Sequence, residues 1–121
     1  MSATLWLLLQ EEVGAVAPTG LVATLVAGPQ VNLSWDITGI VSESGYSIER
    51  RDTTAGASFA EIDTVGANIS VYEGDVGPFT AKHRYAWRIA VLGGPSDGEV
   101  SNEVALFGGT SMMRRIRRYG Y

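Results

Sequence analysis

Arg84-Tyr85-Ala86-Trp87-Arg88-Ile89-Ala90-Val91 is the stretch from which the rest of the 121-residue chain can be read. Its large apolar residues, Tyr85, Trp87, Ile89 and Val91, fall at every second position, opposite Arg84, Ala86, Arg88 and Ala90. Successive side chains of a β-strand point to opposite faces, so this alternation predicts a strand with one buried face. The same rhythm recurs outward from it. Residues 30–36 set Val31, Leu33 and Trp35 against Asn32, Ser34 and Asp36, and the next segment sets Tyr46, Ile48 and then Arg50 against Ser47, Glu49 and Arg51. Phe59, Ile62 and Val65 sit around Glu61, Asp63 and Thr64 with a change of phase that permits a bulge. Ile69 and Val71, with Glu73 continuing the series, stand opposite Tyr72. Residues 20–26 alternate Leu21, Ala23 and Leu25 with Val22, Thr24 and Val26, which predicts a strand buried on both faces or paired with a partner. Residues 101–106 form the last extended segment.

Turn chemistry separates the seven segments: Gly28-Pro29, residues 42–45, Ala55-Gly56-Ala57, Gly66-Ala67-Asn68, Gly77-Pro78 and residues 93–98. Fifteen glycines, scattered without a period, fit a chain that turns often. With 45% hydrophobic and 18% charged residues the composition is globular, and the length supports one domain. The expectation is an all-β, seven-stranded antiparallel sandwich over residues 17–107, flanked by an N-terminal arm, residues 1–16, and a C-terminal arm, residues 108–121. Leu33, Trp35, Tyr85, Trp87 and Ile89 are its expected core.

The same residues narrow the chemistry. The absence of cysteine removes disulfides, thiolate metal sites and a thiol nucleophile, and a single histidine, His83, removes a multi-histidine metal centre within one chain. No Gly-x-Ser-x-Gly elbow presents a serine, and no Gly-x-Gly-x-x-Gly or P-loop pattern cradles phosphate. Glu73 with Asp75, and Asp97 with Glu99, lack the ligand density of a calcium loop and read as solvated loop carboxylates. Arg84 and Arg88 share a strand face, where cross-strand charge pairing with Glu49 or Arg51 in the neighbouring segment accounts for them. No catalytic residue, cofactor or metal is expected. The longest apolar run, Leu5-Trp6-Leu7-Leu8-Leu9, is far short of the roughly 18 residues that span a bilayer. Nothing basic precedes it and Glu11-Glu12 follow it, so a cleaved secretory signal is not expected.

The set of segments resembles a fibronectin type III domain. The resemblance is carried by Pro18-Thr19-Gly20-Leu21, by Val31-Asn32-Leu33-Ser34-Trp35 and by Gly45-Tyr46-Ser47-Ile48-Glu49-Arg50. Phe59 with Ile62, the stretch 72–75, Tyr85-Ala86-Trp87-Arg88-Ile89-Ala90-Val91 and Ser101-Asn102-Glu103-Val104 follow in the family's order and spacing. It implies that Trp35 lies between the two sheets and that Tyr85 is the tyrosine-corner residue, its hydroxyl bonded to nearby backbone. Lys82-His83 stands where the family has a small or turn-forming lead-in, and no Arg-Gly-Asp occurs to imply integrin-type adhesion.

The arms carry the remaining signal. Arg114, Arg115, Arg117 and Arg118 place four cations in the last eight residues, leaving five cations against thirteen acids, a balance of −8, in the rest. Met112, Met113, Ile116 and Tyr119 would share one face of a short helix capped by Ser111, with the arginines around it. At the other terminus Leu5, Trp6, Leu7, Leu8 and Leu9 offer too much apolar surface to float in water. Both arms are expected to contact other protein subunits; the alternatives are an N-terminal arm folded back over a sheet edge of its own sandwich, and a C-terminal arm that is solvated or on nucleic acid, which four arginines hold only weakly at physiological salt. Fibronectin type III and related domains recur in bacteriophage virions, so the resemblance implies a non-enzymatic virion subunit, a capsid decoration or a head or tail accessory protein, located in the virion. The alternative is an extracellular adhesion module holding a host-surface glycan on the loops at 42–45 and 93–98.

Overall fold

The structure is a computed structural model and describes residues 15–107. These residues form seven strands in two antiparallel sheets: β1 (Thr19–Val26), β2 (Gln30–Asp36), β3 (Gly45–Asp52), β4 (Ala60–Gly66), β5 (Val71–Asp75), β6 (Arg84–Leu92) and β7 (Val104–Phe107). One sheet has the order β1-β2-β5 and the other β4-β3-β6-β7, and no helix occurs among the described residues. This is the all-β sandwich expected from the alternation.

The inward faces are those with period-2 apolar residues. Leu21, Val31, Leu33 and Trp35 from one sheet meet Tyr46, Ile48, Tyr85, Trp87, Ile89 and Val91 from the other in a single core. Trp35 packs edge-on to Tyr46, with ring centroids 6.1 Å apart, and so bridges the sheets. Ile62 and Val65 both reach the core although three residues apart, because the β3–β4 pairing slips between Ile48 and Glu49 and takes up Ile62 as a bulge. Gly45 is required at the head of this hairpin, where a Cβ would collide with the carbonyl oxygen of Val65.

Several details differ from the sequence expectation. β1 is buried on one face only: Leu21, Ala23 and Leu25 face the core while Val22 is 53% exposed. In β5 it is Tyr72 that packs inward, whereas Val71 faces solvent and Ile69 lies outside the strand. The pairing of Leu33 with Tyr72 fixes this phase, since Leu33 already faces the core. Phe59 precedes β4 and lies against the arginines of the outer face instead of in the core. The last strand begins at Val104, not Ser101: the Ser101 N–H donates to the Ile89 carbonyl, but the Ile89 N–H returns to the Ser101 hydroxyl oxygen, 2.9 Å, instead of to a main-chain carbonyl, and the ladder is interrupted there. Asn102 then grips β1 across the sandwich, its side chain accepting from the Leu21 N–H and donating to the Leu21 carbonyl.

The largest correction concerns Asp75, which is not a solvated loop carboxylate but 3% exposed at the end of β5. Its Oδ1 accepts from the Arg50 guanidinium of β3 at 2.5 Å and from the Gly77 N–H at 3.2 Å, and its Oδ2 accepts from the Trp87 indole of β6 at 2.7 Å. A carboxylate buried in a core is tolerated only when its oxygens are satisfied in this way. The inward Arg50 of the alternating run thus meets a charge from the opposite sheet, and the guanidinium lies over the rings of Phe79 and Tyr85. Asp75→Ala should lose about 3–5 kcal/mol of unfolding free energy in urea denaturation, because it strands a buried guanidinium. The double variant Arg50→Met/Asp75→Leu should recover only the part due to the guanidinium, since the buried Trp87 indole N–H stays without its acceptor. An Asp75→Ala protein within about 1 kcal/mol of wild type would show that the tie carries no weight.

Candidate functional site

The corner after β5 is built as the tyrosine corner requires: the Tyr85 hydroxyl accepts the Thr80 N–H, 2.7 Å, five residues upstream. Lys82 supplies the tight turn with a positive φ of 71°. His83 beside it is committed to structure, its Nδ1 lying 2.6 Å from Asp52 Oδ2. Burial pushes the Asp52 carboxyl up, but the His83 hydrogen bond, the Ala55 N–H and the His83 charge outweigh it and hold the carboxyl below its ordinary value. Among the described residues no three His, Cys, Asp or Glu side chains stand together as metal ligands. Asp97 closes its own turn by accepting the Gly93 N–H at 2.7 Å, and Glu73 is exposed on β5.

The outer face of the four-stranded sheet is a ladder of guanidinium and aromatic groups. Arg88 pairs with Glu49 at 2.6 Å, as cross-strand charge pairing leads one to expect, and Arg51 pairs with Glu103 at 3.2 Å. Arg51 and Arg88 both lie over Phe59, at 4.8 and 4.3 Å from its centroid. Arg84 departs from the expected charge pairing and stacks on Phe107 instead. The half-buried aromatics of this face are therefore already covered by cations of the same chain.

The loops at 42–45 and 93–98, where a glycan was the alternative expectation, are pinned to one another. Ser44 donates its N–H and its hydroxyl to the Leu92 carbonyl, and Gly94 lies so close to Ser42 that a Cβ would come within 2.7 Å of its carbonyl oxygen. Glu43, only 7% exposed, accepts from the Tyr46 hydroxyl at 2.8 Å and from the Asn68 N–H at 3.0 Å, which ties in the β4–β5 loop. At the open edge between the sheets, Tyr72 donates to Asp63 at 3.1 Å, and burial together with that bond pushes its phenol up to about 12.

The arms join this body at opposite poles. The Val16 N–H donates to the Ser96 hydroxyl, 2.8 Å, in the turn beyond the end of β6, whereas Phe107 pairs with Arg84 at the start of β6. Nine strand residues at about 3.3 Å each separate those ends by roughly 25–30 Å. The expected contact residues Leu5, Trp6, Leu7, Leu8, Leu9, Met112, Met113, Arg114, Arg115, Ile116, Arg117, Arg118 and Tyr119 lie outside the described residues. The expected core residues Leu33, Trp35, Tyr85, Trp87 and Ile89 are all buried.

The pole loops have a measurable pH signature. The Asn68 N–H and the Tyr46 hydroxyl hold the folded Glu43 carboxyl below its ordinary value of 4.5. Stabilisation from a carboxyl whose folded pKa is depressed is complete above the unfolded value and is lost as pH falls through the folded one. The stability difference between wild type and Glu43→Gln, followed by urea denaturation, should therefore be largest near pH 6 and shrink below about pH 4. A difference unchanged down to about pH 3 would contradict the assignment.

No family model matches the chain, and no curated protein matches it. Solved structures do. A Fn3-like protein from Clostridium thermocellum is 22% identical, with a TM-score of 0.59 over 77% of this chain and 92% of that one. A structure of titin domains is 20% identical, with a TM-score of 0.60 over 77% of this chain and 32% of that one. Pectate lyase PelI from Erwinia chrysanthemi, solved in complex with tetragalacturonic acid, is 16% identical with a TM-score of 0.62; the match covers 74% of this chain but 28% of the enzyme's. The chain thus spans less than a third of the lyase and of the titin structure. At these identities the likeness is one of architecture, and the fold of residues 15–107 is that of a fibronectin type III and immunoglobulin-like sandwich.

Proposed function

We propose that the chain is a non-enzymatic structural subunit of a larger protein assembly, with the sandwich as a rigid spacer and the two arms as its fastenings. The observation that carries this reading is the exit of the chain's two ends at opposite poles of a body whose buried polar residues are bound within its own fold. Asp75, Asp52, Glu43 and His83, the groups that chemistry would draw on, are each bound to structural partners. The narrower form of the reading is a bacteriophage virion protein, a capsid decoration or a head or tail accessory subunit; it rests on the layout of one sandwich between two sticky arms. The glycan-binding alternative gains little from the described residues. Sugar rings stack on open aromatic faces, and here Phe59 and Phe107 are covered by arginines.

Incorporation tests the reading. Full-length chain should co-sediment with a high-molecular-weight particle from its native source, while chains lacking residues 1–12 or 109–121 should stay in the supernatant as folded monomers. If both deletions enter the particle at full-length occupancy, the faces of the sandwich make the contacts and the proposal fails.

A further inference from the structure

The outer face of the three-stranded sheet has an apolar row that nothing among the described residues covers. Val22 pairs with Ser34 and Ser34 with Val71, so two valines, 53% and 51% exposed, stand side by side across one small hydroxyl. Ile69, two residues before Val71, adds exposed apolar surface at the same end. The adjoining rows bring Asp36, opposite Thr19, on one side and Glu73, opposite Asn32, on the other. Among the described residues neither carboxylate is paired with a cation, although Asp36 Oδ1 accepts from the Thr38 N–H and hydroxyl, and residues 15–107 hold five Lys and Arg against eleven Asp and Glu. An uncharged apolar row flanked by carboxylates without a cation calls for an occupant with apolar anchors and flanking cations. The C-terminal arm has that composition, with Met112, Met113 and Ile116 among Arg114, Arg115, Arg117 and Arg118. The N-terminal arm does not: it carries Glu11 and Glu12 and no Lys or Arg.

Geometry bears on whose arm it is. Asp75 ties Val31 of the three-stranded sheet to the level of Arg50, Trp87 and Val104. Phe107 lies three residues beyond that level towards one pole, and Ser34 lies three residues beyond it towards the other. The arm's root and the valine row are thus about 20 Å apart along the strands and about 10 Å apart across the sandwich. Met112 and Met113, five and six residues past Phe107, reach at most about 17–21 Å and fall short of the chain's own row, whereas Ile116, nine residues past it, reaches about 30 Å; all three apolar anchors meet one row together only from a neighbouring copy. A second copy stacked pole to pole brings its arm's root next to the row instead.

We propose that copies of this chain associate head to tail, the C-terminal arm of one lying on the Val22–Ser34–Val71 row of the next between Asp36 and Glu73. This rests on the assembly reading and gives it a receiving surface. The contact is heterologous, so it propagates into a ring or a filament unless another protein stops it. The guanidinium groups take the flanking carboxylates while the methionines and Ile116 cover the valines.

Sedimentation velocity on purified chains tests it. Full-length protein should gain mass with concentration and lose it in about 0.5 M salt. A chain lacking residues 109–121 keeps the row and has no arm; Val22→Lys/Val71→Lys keeps the arm and spoils the row at two exposed positions. Each should be monomeric alone, and an equimolar mixture should give a one-to-one dimer and nothing larger. A monomeric full-length chain, a mixture that stays monomeric, or a lysine variant that still self-associates alone would each overturn the proposal. Failure here with arm-dependent entry into a particle would leave the assembly reading standing. A mixed dimer, with both truncations still entering the particle, would remove that reading and keep this one.

Discussion

Closing two sheets over a core leaves their relative position to be fixed, and here a single buried carboxylate does much of it. Asp75 comes from the edge strand of the three-stranded sheet and binds Arg50 and Trp87, which are themselves cross-strand partners on the two central strands of the other sheet. One side chain thereby grips β3, β5 and β6 at once. Apolar packing tolerates small slippages; a carboxylate with both oxygens engaged does not. The guanidinium it holds becomes the floor for Phe79 and Tyr85, and Tyr85 in turn holds the Thr80 N–H, so the corner between the sheets is organised from the same charge. A buried ion pair adds less to stability than its Coulomb energy suggests, because both ions must be desolvated. Its contribution here is to select one alignment of the sheets.

Hydrogen bonds at the rim complete that alignment. Asn102 closes the β1 side by hydrogen bonds to Leu21, Tyr72 closes the β4–β5 side through Asp63, and Glu43 with Ser44 and Ser96 ties the loops at one pole. Among the described residues the sandwich thus satisfies itself across its sides and at this pole. What stays uncovered among the described residues is a sheet face with two valines in a row, an arrangement that isolated domains commonly break with charge.

Much of this was legible in the sequence, and the exceptions have physical causes. Strands β2 and β6 declare themselves because large apolar residues at every second position have no other way of leaving water together. Tyr85 was readable through the spacing of the resemblance. Asp75 was not, since an acidic residue next to Gly77-Pro78 looks like turn punctuation, and its partners lie 25 and 12 residues away in sequence. The available signal was Arg50, an arginine continuing the inward series of Tyr46 and Ile48; an inward cation demands a carboxylate from the facing sheet. Phe59 misled because an aromatic beside a strand suggests core, whereas two outward arginines offered it a cationic clasp. Val22 was legible in part: the sequence left its segment either doubly buried or partnered, and the fold leaves that side open.

The central claim is that the sandwich is complete without its arms. Thermal unfolding of a fragment covering residues 15–107, run beside the full-length chain, tests it most directly. The expected result is one cooperative transition for each, with midpoints within a few degrees, and a fragment that is monomeric at every concentration. A fragment that is unfolded, or that melts far below the full-length chain, would mean that the arms are part of the core, and the division between spacer and fastening would fall.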